Sequence, residues 1–139
     1  MRYMLDTDTA SYVIKGTHPA LDHRLAAVPA AEVCMSCVTR AELLYGVHRK
    51  PEGHHLARVV RQLLATLASL PWDDAAADRF ATIAAELEAA GKRIGTFDTM
   101  IAAHALATDT VVVTSNSEHF SRVRGIRIEN WASDDRSTS

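Results

Sequence analysis

The stretch Met4-Leu5-Asp6-Thr7-Asp8-Thr9 decides how the rest of this chain reads. Met4 and Leu5 are apolar and form the tail of a short buried strand. Two carboxylates follow at once. Thr9 then opens an amphipathic run, Ala10 to Lys15, that ends at Gly16. Strand, acidic turn and helix, in that order, is the layout of a site at the carboxyl edge of a parallel sheet. Charge beside a core costs several kcal/mol unless a cation or donor compensates it. Two acids there point to a hard cation or to a phosphorylation site. The structural alternative is that Asp8 or Thr9 merely caps the helix. Capping accounts for one acid more easily than for both.

A chain of 139 residues with 47% apolar side chains is one domain with a proper core. Fifteen Lys and Arg stand against seventeen Asp and Glu, a net charge of −2, so no global basic field advertises a nucleic-acid partner. Positive charge for such a partner has to be local. The start of the chain lacks a basic region followed by an apolar run, so no signal peptide is expected. No apolar run approaches the roughly 20 residues that cross a membrane. The cytoplasm is the expected compartment. Cys34 and Cys37 form a lone C-x-x-C, with Cys34 inside an apparent strand, and no second pair exists to complete a zinc site. Two small buried side chains is the simpler reading.

Further along, Pro19 begins a helix with Leu21, Leu25 and Val28 on one side, closed by Pro29. Val33, Cys34 and Met35 read as a second strand. Thr39-Arg40-Ala41-Glu42 matches a capping box, which gives Glu42 a purely structural role to compete with any chemical one. Pro51 and Gly53 break the chain. Apolar residues from Leu56 to Leu70 keep helical spacing over about five turns. Pro71 and Trp72 suit a very short strand, Asp73 or Asp74 a helix cap, and Gly91 a helix end. Lys92 to Gly95 is a basic loop. Thr96 is the expected cap of the next helix, with Asp98 in its first turn. Val111 to Thr114 is the clearest strand. Ser115 to Ser117 read as a turn, His119 to Val123 as a short helix, and Ile126 to Ile128 as a last strand. Trp131 packs the end down, and Ser133 to Ser139 form a frayed polar tail.

Strands that alternate with helices predict an α/β fold: a short, mainly parallel sheet of four to five strands flanked by helices. In such a fold each strand ends, and each crossover helix begins, on one edge. Asp6, Asp8, Glu42, Asp98 and the segment Thr114 to Asn116 therefore gather there. Carboxylates that meet in one crevice repel each other, and a divalent cation relieves the repulsion. All-oxygen ligands select Mg²⁺ or Mn²⁺ over softer metals. Such an ion activates water and stabilises charge on a phosphodiester.

The strings MLDTDTASYVIKG, SCVTRAELLYGV, GTFDTMIAAHAL and VVVTSNSEHFSRVRGIRIENW together resemble a PIN-domain ribonuclease of the VapC type, the toxins of bacterial toxin–antitoxin pairs. The likeness runs from Met1 to about Trp131, with the strings in family order. It implies a single PIN-like domain over residues 1–132, metal-dependent cleavage of transfer or ribosomal RNA, a homodimer, and inhibition by a VapB-like antitoxin. By position, Asp6, Glu42 and Asp98 match the family's acidic metal site for Mg²⁺ or Mn²⁺. Asn116 matches a fourth polar position that is aspartate in many PIN domains. Asparagine brings an oxygen without charge, which leaves one or two ions open. Arg40, Lys92 and Arg93 flank the acids as possible RNA contacts, and Arg122, Arg124 and Arg127 follow Asn116. His104, six residues past Asp98, lies off its helical face and reads as packing or surface.

Three rivals compete. A haloacid-dehalogenase-type phosphatase would use Asp6 as nucleophile and Asp8 as acid, but it needs a lysine after its strand-ending threonine, and the last lysine is Lys92. A receiver-like signalling domain fails on the same missing lysine. A PIN fold that has lost catalysis and survives as a binding module is the third.

Overall fold

The computed structural model describes residues 1–52 and 54–133. Gly53 and the tail beyond Ser133, read above as a breaker and a frayed end, lie outside the described residues. Five short strands carry the fold: β1 (Tyr3–Leu5), β2 (Val33–Ser36), β3 (Ala68–Leu70), β4 (Val111–Val113) and β5 (Ile128–Glu129). All pair in parallel, in the order β3-β2-β1-β4-β5. The helices are α1 (Thr7–Lys15), α2 (Pro19–Ala27), α3 (Cys37–His48), α4 (Leu56–Thr66), α5 (Asp74–Ala89), α6 (Thr96–Thr108) and α7 (Ser117–Phe120).

Period two divides the core. Tyr3, Leu5, Val33, Met35, Val111 and Val113 face one layer, which is completed by Leu21, Leu43 and Val60. Met4, Cys34 and Val112 face the other, completed by Ile83, Ile101 and Phe120. The chain steps outward from β1 to β2 to β3, then returns across the sheet to β4. Because parallel crossovers are right-handed, this reversal puts α1 to α4 over one face and α5 and α6 over the other. It also opens a crevice at the carboxyl ends of β1 and β4, where ligands bind in open α/β sheets.

Several local expectations change. Helix α4 stops at Thr66, not at Leu70. Leu67 turns extended, and Ala68–Leu70 pairs with Cys34–Ser36 instead. Backbone pairing to a waiting strand outweighs a helical spacing that continues by chance, and Pro71–Trp72 lies past the strand rather than within it. The final strand falls at Ile128–Glu129 rather than at 126–128, and the short helix at Ser117–Phe120 rather than at 119–123. Gly95, not Thr96, occupies the cap position of α6. Asp73 does cap α5, accepting from the Ala76 N–H at 3.2 Å. Gly91 ends that helix at φ 66°, which lets the Lys92 N–H reach back to the Leu87 carbonyl at 2.9 Å. Cys34 is buried in β2, its thiol pushed up to about 11 by that burial, while Cys37 opens α3 and accepts from the Trp72 N–H. Both are packing groups. Trp131 is buried and meets Tyr3 edge-on.

Candidate active site

Asp6 ends β1 and caps α1. Its Oδ1 accepts from the Thr9 N–H at 2.9 Å, so neither Asp8 nor Thr9 is the cap. The helix begins at Thr7, two residues earlier than the apolar pattern indicates, because hydrogen bonding rather than hydropathy sets a helix start. The cap and the candidate functional acid are thus one side chain. Asp6 is only 2% exposed. Burial raises its carboxyl above the usual range, hydrogen bonds with Thr114 and Thr9 pull it back, and the Asp8 charge adds to the rise. Asp8 itself is exposed.

Glu42 is not part of a capping box. Ser36 caps α3, accepting from the Val38 N–H at 3.1 Å, so Thr39 already lies in the first turn and Glu42 in the second. The Glu42 Oε1 accepts from the Thr7 hydroxyl at 2.5 Å. That hydroxyl also stands 3.2 Å from the Thr39 hydroxyl. Its single proton goes to the carboxylate, the stronger acceptor. The residue between the two aspartates therefore ties α1 to the glutamate of α3.

Asp98 sits in the first turn of α6, half-buried. Its carboxyl is pushed up to about 6, first by burial and then by Asp6, Asp8 and Glu42, with His119 opposing. Four acids from three helices thus share one electrostatic crevice at the edge where β1 and β4 end. Among the described residues, no three acidic, His or Cys side chains close tightly enough to hold an ion by themselves.

Asn116 follows β4 in the same crevice. Its N–H donates to the Thr114 hydroxyl at 2.8 Å, and its amide nitrogen stands 2.8 Å from His119 Nδ1. His104, in contrast, is a core strut. It is 1% exposed, its Nδ1 lies 2.8 Å from Ser36 Oγ, and it bonds the Pro71 backbone. Thr7 and His119 stand beside these acids although nothing in the sequence singles them out, while Thr9 and Thr114, which the sequence offers as a cap and a strand end, bond the Asp6 carboxyl. Their signal was adjacency: each threonine stands next to an acid or at a strand end, where a short hydroxyl can reach a carboxylate.

The basic residues divide. Arg127 binds Asp109 Oδ1 at 2.8 Å beyond the far end of α6, away from the acids. Arg40 reaches Ser69 Oγ at 3.4 Å. Arg122 donates to the Arg93 carbonyl at 3.2 Å, which draws the turn after α7 against the loop before Asp98. Lys92, Arg122 and Arg124 line an open groove of about 510 Å³ there.

The PIN domain family matches residues 3–126. The chain is 33% identical to the tRNA(fMet)-specific endonuclease VapC of Shigella flexneri, over 95% of this chain and 99% of that one. It is 37% identical to ribonuclease VapC2 of Haemophilus influenzae, over 94% and 98%. Among solved structures, DNA-bound VapBC from Salmonella typhimurium superposes with a TM-score of 0.88 at 36% identity, covering 94% of this chain and 98% of that one. Sheet order, edge acids and full-length similarity agree: the chain belongs to the PIN-domain family and, within it, to the VapC group.

Proposed function

We propose that this chain is the toxin of a toxin–antitoxin pair, an endoribonuclease that depends on Mg²⁺ or Mn²⁺ and cuts transfer or ribosomal RNA. The observation that carries the reading is the gathering of Asp6, Glu42 and Asp98 at the β1–β4 edge, in a chain whose full-length relatives are named ribonucleases. Family membership removes the phosphatase and receiver alternatives.

The donor set fits a hard divalent ion. Every candidate ligand is a carboxylate oxygen, and Asp98 carries repulsion from three others. Magnesium takes few direct carboxylates and keeps several waters, so three acids need not close on one point. Asp6, Glu42 and Asp98 would hold the ion directly or through its waters. When bound, the ion makes water a better nucleophile and stabilises charge on the phosphate. The chain's own groups do the rest. Thr9 and Thr114 hold the Asp6 carboxylate at the mouth of the sheet, and Thr7 aims Glu42 into the crevice. Lys92, Arg122 and Arg124 offer the RNA backbone a groove at the end of α5, which Glu86 also lines. The ion pairs Arg24–Glu129 and Arg127–Asp109 among the described residues leave these three cations aside. Arg40 and Arg93 stand as supporting RNA contacts.

A VapB-like antitoxin is the proposed protein partner, and a homodimer the proposed assembly. The solved relatives include VapBC complexes from Salmonella typhimurium and Rickettsia felis. No described helix is long and apolar enough to cross a membrane, and an RNA substrate puts the work in the cytoplasm. The test is cleavage of purified transfer and ribosomal RNA with and without Mg²⁺. Metal-dependent, site-limited cuts support the reading. RNA left intact by the antitoxin-free protein would leave an inactive binding module.

A further inference from the structure

We propose that His119 is a further catalytic residue: an uncharged donor whose Nε2–H meets a non-bridging oxygen of the scissile phosphodiester, its tautomer set by Asn116 as a positioning residue. The inference rests on the ribonuclease reading and adds to it a group outside the carboxylate set.

The geometry begins at Asp6. Its carboxylate bonds Thr114, the Thr114 hydroxyl receives the Asn116 N–H at 2.8 Å, and the Asn116 amide nitrogen stands 2.8 Å from His119 Nδ1. An amide nitrogen only donates, so Nδ1 accepts and the ring proton lies on Nε2. The ring is half-buried, and Nε2 is the nitrogen that Asn116 does not meet. Its place is held on both sides. Phe120 is fully buried in the core layer beneath α6. Arg122 ties the following turn to the Arg93 carbonyl, in the loop that leads to Asp98. A charge on the His119 ring would be felt at Asp98 against the three acids, so the ring stands within electrostatic reach of the crevice. A crevice of four acids repels a phosphate. A fixed N–H at its rim offers the phosphate oxygens a donor that needs no reorganisation as charge grows on them.

The structural alternative is a local brace between residues 116 and 119. Two measurements separate it from catalysis. The first is the imidazole ¹H–¹⁵N spectrum of the labelled protein without metal. An unprotonated Nδ1 with a protonated Nε2 is expected, with the preference weakened in N116A. A protonated Nδ1 in the parent overturns the proposal. The second is single-turnover cleavage of bound RNA at saturating Mg²⁺, with melting temperatures alongside. H119A should slow the cut about 100-fold, as loss of one preorganised donor does, with apparent RNA affinity little changed. H119Q, whose amide N–H reaches toward the Nε2 position, should regain at least about tenfold of that. N116A should slow the cut, and N116A/H119A should be no slower than H119A, because both act through one ring. A lower melting temperature with the parent rate marks a brace and overturns the proposal. If H119A folds poorly, H119Q decides it, and a Gln variant as slow as a folded Ala variant counts against it. H119A cutting as fast as an active parent sinks this inference alone. A parent that cuts no RNA sinks the ribonuclease reading with it.

Discussion

Helix α6 carries two titratable groups, Asp98 and His104, and they are opposites. Asp98, in its first turn, is half-buried and surrounded by like charge from Asp6, Asp8 and Glu42. His104, further along, is 1% exposed and its ring has partners in Ser36 and the Pro71 backbone. One group is held in a state that its surroundings oppose, and the other in a state that they satisfy. Frustrated charge is retained where a ligand relieves it, while a satisfied polar group locks elements together. Here His104 joins α6 to the end of β2 and to the segment after β3, and so keeps the sheet edge on which Asp98 stands.

Asp98→Asn should break the functional side of this comparison most severely. Cleavage should fall below detection, since the substitution keeps the shape and removes the charge that holds a cation. The metal-free protein should melt no lower than the parent, because repulsion is removed with the charge. Parent-like cleavage by the purified variant would contradict the assignment.

Glu42→Gln comes next. The Thr7 hydroxyl still finds an acceptor in glutamine, and Glu42 caps nothing. Single-turnover cleavage should drop at least about 100-fold, with stability moving by less than about 1 kcal/mol. Loss of stability without loss of rate would reverse the assignment.

His104→Ala should do the converse. It should cost about 1–3 kcal/mol of stability by leaving buried partners unsatisfied, measured by denaturant unfolding. Cleavage per folded molecule should stay close to the parent. A large loss of rate in fully folded protein would give His104 a part in the chemistry.

The smallest effect is in pH. The Asp98 carboxyl titrates near 6 in the folded chain and near 3.8 ordinarily. The fold therefore favours its protonated form, and its contribution to stability fades as pH rises from about 4 to 6. The His104 ring is held below its ordinary 6.5 by burial. Its contribution is present above 6.5 and fades as pH falls below that. Without metal, the melting gap between Asp98→Asn and the parent should widen from pH 4 to 6 and then level. The gap between the parent and His104→Ala should narrow as pH drops below 6.5. Parallel melting curves for all three proteins would refute both assignments.

Much of the site was legible because it stands beside strand ends. Asp6 directly follows an apolar pair, and Asp98 opens a helix that leads into an unmistakable Val-Val-Val strand, so alternation alone brings them to one edge. Glu42 comes to that edge because the helix after β2 begins there, with the capping-box pattern as its structural rival. The capping-box pattern is real in the sequence, yet α3 starts at Cys37, because strand β2 ends at Ser36 and that serine caps the helix.

The sequence by itself determined the alternation of strands and helices, the two-faced strands, the four edge acids and their family order. These are local properties, set by side-chain period and by the chemistry of single residues. Only the tertiary structure decided that α4 yields to β3, that Thr7 holds Glu42, that Asn116 turns to His119, that Arg127 faces away and that His104 is a strut. Each of these depends on a partner that pairing or packing brings near, often 30 or more residues away in the chain. Spacing along one segment carries no record of which distant hydroxyl, amide or backbone will be there to meet it.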